Sequence, residues 1–170
     1  MRLIKAILTS VLVCTVLLGW SKSASAQTKI VESSFSYNAP SGWKSQTIPG
    51  MKFKVVFGTP AQGFAPNINV VDESFPGSIE KYADANERTL QKSLPGYKKL
   101  SRAPFVTSNS VKGIKMVALQ TQQGKTLRST FYLFTSKSGP KLVVTCTSLA
   151  SDGDKYNGTF DTAMKSFALK

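Results

Sequence analysis

The chain is 170 residues long, with 22 Lys and Arg against 9 Asp and Glu, a net charge of +13 and no histidine. That length suits one domain able to bury a real core. The missing histidine removes the commonest metal ligand and the commonest general base, which excludes Cys/His zinc sites and histidine-based catalysis.

The first segment reads as a signal peptide. Arg2 and Lys5 make a positive start, an apolar stretch covers 7–20, and Ala24-Ser25-Ala26 is a small-residue cleavage site. Cleavage is expected after Ala26, leaving a single domain over 27–170 in an exported protein. The apolar stretch is short for a membrane span. Val13 precedes Cys14 where a lipidation signal needs a small residue, so lipidation is not expected.

Removal of that segment leaves Cys146 alone, and an exported chain with one cysteine has no internal disulfide. Cys146 lies in the apolar run 142–146 and reads as a buried core residue. The domain keeps 19 basic and 9 acidic residues, for +10. Between Glu87 and Asp152 there are 64 residues without an acid and with 11 Lys and Arg. A one-sided field of this kind attracts anionic partners.

Short strands are expected over 33–38 and 43–48, turned at Pro40-Ser41-Gly42 into an N-terminal hairpin, then over 53–57 and 67–71. A helix follows. Ser78 offers its cap, Glu80 and Asp84 lie near its N-terminal end, and Pro95-Gly96 stops it. Four longer strands are expected at 97–107, 111–121, 126–135 and 141–149. Asn109-Ser110, Gln123-Gly124 and Gly139-Pro140 separate them in hairpin fashion. The last three are apolar in both parities, as in a sheet covered on both faces. A closing helix over 154–166 places Tyr156, Phe160, Ala163 and Phe167 on one face.

This order of elements, with the turn Pro40-Ser41-Gly42-Trp43, the strand "NINVV" at 67–71, the helix start "SIEKYA" at 78–83 and the closing Phe160 and "MKSFAL" at 164–169, resembles the PsbP/Mog/DcrB-like superfamily. The resemblance implies an α+β fold, an α/β/α sandwich with a central twisted, mostly antiparallel sheet flanked by helices. It implies non-catalytic roles: extrinsic subunits or assembly factors of photosystem II, or envelope proteins. It also makes Trp43 a buried packing anchor where the N-terminal hairpin meets the sheet.

Other motifs carry less. Asp152-Gly153-Asp154 lacks the ligands of a calcium loop and reads as turn and cap chemistry. Asn157-Gly158-Thr159 matches a glycosylation sequon by chance, inside an expected helix. Asp72 and Glu73 are adjacent on a strand, point to opposite faces and make a poor acid/base pair. No cofactor or metal is expected, and no nucleic-acid recognition motif is present. The expected function is a monomeric, non-catalytic binding or assembly module. It would dock on an anionic membrane surface or acidic envelope protein, in the periplasm, or in the thylakoid lumen if the source is photosynthetic. Lys98, Lys99, Arg102, Lys112 and Lys115 are the candidate contacts, brought near one another by hairpin pairing.

Overall fold

The computed structural model describes residues 27–170. The expected signal segment and its Ala26 cleavage site lie outside the described residues. The strands are Lys29–Val31 (β1), Phe35–Asn38 (β2), Lys44–Gln46 (β3), Val55–Phe57 (β4), Asn67–Glu73 (β5), Lys98–Val106 (β6), Lys112–Gln122 (β7), Lys125–Thr135 (β8), Lys141–Leu149 (β9) and Ala168–Leu169 (β10). Helix α1 spans Ile79–Ser93, between β5 and β6, and α2 spans Asn157–Lys165, between β9 and β10. The class is α+β.

Seven strands form one antiparallel sheet in the order β3-β4-β5-β9-β8-β7-β6, and β1-β2-β10 form a second, small sheet. Local chemistry explains the meander. Gln123 and Gly124 both take positive φ, 48° and 73°, between the paired Gln122 and Lys125. This is the two-residue hairpin loop whose twist matches its flanking strands. In β9 all nine residues are buried, so the strand is shielded on both faces.

Alternation divides the sheet's side chains between two cores. Phe131, Leu133 and Val143 join Ile114, Met116 and Ala118 and the α1 residues Tyr82, Ala83 and Leu90. Tyr132, Phe134, Leu142, Val144 and Cys146 join Phe35 and Tyr37 of the small sheet and Phe160, Ala163 and Met164 of α2. Phe167 ties this second core together, stacked on Phe134 at 4.6 Å and on Phe35 at 5.4 Å between ring centroids.

Helix α1 begins where Ser78 caps it, accepting from the Lys81 amide at 3.3 Å. Its C-terminal end is followed by Gly96 at φ +65°. Helix α2 ends against the β6–β7 turn. Ser108 donates its amide to the Lys165 carbonyl at 2.7 Å, and the Asn109 side chain donates to the carbonyls of Ser166 and Phe167 at 3.1 and 3.2 Å. The turn thereby satisfies carbonyls that a helix end leaves open.

Three expectations are corrected. Strands β2 and β3 do not form a hairpin. β2 pairs with β1 and β10, β3 pairs with β4, and Pro40-Ser41-Gly42 carries the chain from one sheet to the other. The closing helix starts at Asn157, because Ala150–Asp152 forms a separate 3-10 turn. Trp43 is only half-buried. It sits at the margin of the second core, edge-on to Tyr156 and Phe160 at 6.1 and 6.0 Å. Gly58 is what lets the indole approach the backbone there, since a Cβ at that position would lie 2.7 Å from the ring. The indole thus clamps α2 to the β4 end of the sheet and keeps one edge in water.

Two substitutions test this packing. Trp43→Ala is expected to lower stability by about 2 kcal/mol, below the range for fully buried aromatics because the ring is partly exposed. Gly113→Ala is expected to cost about 2 kcal/mol or more, because the new methyl runs into the Leu133 carbonyl and the Phe134 ring. Urea unfolding checks both, and an unchanged midpoint in either contradicts the corresponding contact.

Candidate functional site

The basic hairpin forms in register, yet it spreads the five candidate cations instead of gathering them. Lys98 pairs with Leu119 at one end of the β6–β7 ladder, and Lys112 pairs with Val106 at the other. A shift between Lys99 and Ser101 further changes which face β6 presents.

Three of the five are engaged within the protein. Lys99 forms an ion pair with Glu87 at 2.8 Å. Arg102 reaches Asp84 at 2.5 Å, Glu87 at 3.7 Å and the Glu80 carbonyl at 3.3 Å, so the pair pins α1 to the sheet edge. Lys115 lies on the opposite face. It donates to both oxygens of Asp161 on α2, at 2.6 and 2.7 Å, and the Tyr132 hydroxyl donates to the same carboxylate at 2.6 Å. Arg128 repeats the pattern with Asp154 at 3.1 Å. The acids missing from the basic stretch are therefore supplied by α1 and by the segment around α2.

Lys98 and Lys112 remain exposed, with no ion-pair partner among the described residues. Lys112 has company that the linear sequence does not advertise. Its cross-strand partner Val106 is 44% exposed. Lys165, from the end of α2, lies over the Phe105 ring at 4.8 Å and donates to the Val106 carbonyl at 2.6 Å. Exposed Lys137 stands in the β8–β9 turn, two residues beyond Thr135, and Thr135 flanks Lys112 by continuation of the β7–β8 ladder. One end of the molecule thus carries an exposed valine with Lys112 beside it on the α1 face of the sheet, Lys165 on the opposite face, and Lys137 in the neighbouring turn. Lys165 was missed because it lies outside the acid-free stretch, and Lys137 because nothing in its turn marks it as a neighbour of Lys112.

A polar group lies between the sheet and α1. The Tyr82 hydroxyl donates to Glu73 at 2.6 Å and accepts from the Asn86 side chain at 3.4 Å. Burial holds the Glu73 carboxyl above its ordinary range, with the Tyr82 hydrogen bond acting the other way. Lys141, only 4% exposed, is the cross-strand partner of Glu73 and donates to Thr135 Oγ1 at 3.1 Å. Cys146 is fully buried and its thiol is pushed up by burial, which disfavours the reactive thiolate. Among the described residues no three His, Cys, Asp or Glu side chains gather as a metal group, and no helix is long and apolar enough to cross a membrane.

No family model and no curated protein matches the sequence. Solved structures do match in fold. Cyanobacterial PsbP (CyanoP) from Synechocystis superposes with a TM-score of 0.64 at 12% identity, covering 92% of this chain and 99% of that one. LpqN of Mycobacterium tuberculosis, involved in cell envelope biogenesis, gives 0.59 at 11% identity over 85% and 91%. A Pseudomonas aeruginosa protein of unknown function gives 0.55 at 14% identity over 85% and 97%. The chain has the PsbP-like fold.

The raised Glu73 carboxyl makes a pH test possible. As pH rises, the unfolded chain loses this proton first, so the group favours the folded state at low pH. That contribution is lost as pH climbs through the higher folded value. Glu73→Gln removes the dependence and still accepts from Tyr82. The variant is therefore expected to gain stability relative to the parent between about pH 4 and pH 7. Parallel urea titrations at the two ends of that window check the sign, and a relative loss contradicts it.

Proposed function

We propose that this protein is an exported, non-catalytic binding module that docks on an anionic membrane surface through the turn end bearing Lys112, Lys137 and Lys165. The observation that carries the reading is the exposed Val106 beside Lys112, at the end of the molecule that also bears Lys137 and Lys165. Cations beside a small apolar tip match a headgroup layer, where the charges meet anionic lipid and the valine enters the acyl boundary. Lys99, Arg102 and Lys115 drop out as primary contacts because they hold the helices. Lys98 becomes a control at the far end of the hairpin.

Export is supported by the charged, apolar and small-residue pattern of 1–26, and by the likeness to LpqN, involved in cell envelope biogenesis. The non-catalytic reading is supported by the absence of histidine and by the burial of Cys146. The two cores on opposite sides of the large sheet support the α/β/α sandwich arrangement. A second reading, a PsbP-like photosystem II subunit or assembly factor, is favoured by the match to CyanoP over nearly the whole of both chains. A photosynthetic source would support it.

The test is co-sedimentation with phosphatidylglycerol and phosphatidylcholine vesicles across a salt series. Binding is expected only to the anionic vesicles, weakening as salt rises. Lys112→Glu with Lys137→Glu should reduce it at least about tenfold, from roughly 1 kcal/mol for each lysine near the surface. Lys98→Glu should leave it nearly unchanged. Binding to source membranes but not to vesicles would redirect the reading to an acidic envelope protein. Retention indifferent to salt and to the double reversal would overturn it.

A further inference from the structure

One line of cross-strand neighbours closes an end of the large sheet. Glu73 of β5 pairs with Lys141 of β9, Lys141 pairs with Thr135 of β8, and Lys112 of β7 pairs with Val106 of β6. Thr135 lies beside Lys112, one step past the Phe134–Gly113 pair. The chain leaves this line in three places: at 74–78 after Glu73, at 136–140 between Thr135 and Lys141, and at 107–111 between Val106 and Lys112. The three loops therefore stand side by side at the end that carries Val106. Four strand spacings separate Val106 from the 74–78 loop, roughly 19 Å.

The 74–78 loop, Ser-Phe-Pro-Gly-Ser, holds no ionisable side chain. Ser74, Pro76, Gly77 and Ser78 are exposed, and Phe75 is half-buried. Phe75 makes a T-shaped contact with Tyr82, ring centroids 5.1 Å apart, and Tyr82 donates to Glu73 at 2.6 Å. The loop is thus braced from below, with Pro76 at its tip. Proline has no amide proton, so its ring brings little polar backbone to an apolar boundary.

Cations accompany this second tip as they do the first. Lys81, exposed in the first turn of α1, lies against the loop: a Cβ on Gly77 would sit 3.5 Å from Lys81 Cδ. Lys112 and Lys137 stand between the loop and Val106. The nearby acids are engaged, Glu73 with Tyr82 and Glu80 with Ser78.

We infer that the 74–78 loop is a second membrane-contacting element, entering the same anionic bilayer as Val106 through Pro76 and the outer part of Phe75. The inference rests on the membrane docking proposed above and adds its geometry. One apolar tip fixes depth and leaves tilt free. Two tips at opposite sides of the sheet, with lysines between them, define a plane. Anionic headgroups meet Lys81, Lys112 and Lys137, while Pro76 and Val106 reach the acyl boundary. The strands of the large sheet then stand steeply on the bilayer.

The experiment places an environment-sensitive fluorophore on single cysteines: Pro76→Cys, Val106→Cys, and Thr126→Cys at the opposite end of β8. Each carries Cys14→Ser, and Cys146 is fully buried, so only the introduced thiol is labelled. On phosphatidylglycerol vesicles, emission from positions 76 and 106 should shift to the blue and that from 126 should not. Pro76→Glu should weaken co-sedimentation about tenfold, by losing an apolar contact and adding repulsion, and should leave the urea midpoint unchanged because the site is exposed. Ser74→Cys serves as the loop probe if Pro76→Cys does not fold. A response at 106 with silence at the loop, and parental binding by Pro76→Glu, overturns this inference and leaves docking through Val106 alone. Silence at both positions overturns the membrane reading and the inference with it. An equal shift at 126 overturns the proposed orientation.

Discussion

The structure depends on the double-sided burial of β9. Every one of its nine residues is inside, with even positions turned toward α2 and the small sheet and odd positions toward α1. Such a strand is stable only if both faces are covered. The two helices meet that demand, and so do the aromatic residues Phe35, Tyr37 and Phe167 from the two ends of the described chain. The pairing of β5 with β9 sets the centre of the sheet and brings the first half of the domain to the second.

Electrostatics serves this architecture before it serves any partner. The lysines and arginines that crowd 88–151 look in sequence like an outward-facing field. In three dimensions much of that charge is spent sideways. Arg102 and Lys99 bind the outer side of α1, Lys115 binds α2 through Asp161, and Arg128 binds Asp154. Exposed pairs of this kind contribute little individually. The Lys115–Asp161–Tyr132 group is more sheltered and carries three hydrogen bonds on one carboxylate. It orients α2 over the second core.

Much of this was legible from periodicity and punctuation. The α1 cap at Ser78, the stop at Pro95-Gly96 and the three hairpin separators all identify real boundaries, because local chemistry decides them. The misses share a different cause. Strands β1 and β10, with three and two residues, carry no periodicity of their own and exist only through pairing with β2. The expected β2–β3 hairpin failed because β2 found partners far away in sequence. The five candidate cations failed to cluster because register decides proximity along a ladder, and a long antiparallel ladder separates residues close in sequence to opposite ends.

The small sheet has a consequence for the order of folding. β2 is sandwiched between β1, which begins at Lys29, and β10, which ends at Leu169, and the Lys170 amide also bonds the Ser34 carbonyl. A chain emerging N-terminus first therefore cannot complete this sheet until β10 appears. The leading strands must wait unpaired on one side, while the β6–β9 meander, built from neighbours in sequence, is free to assemble. The two ends of the described domain both leave from this sheet, the first beside Ala39 and the last beside Ser34 at the other end of β2, so pulling on them would load β2 along its length.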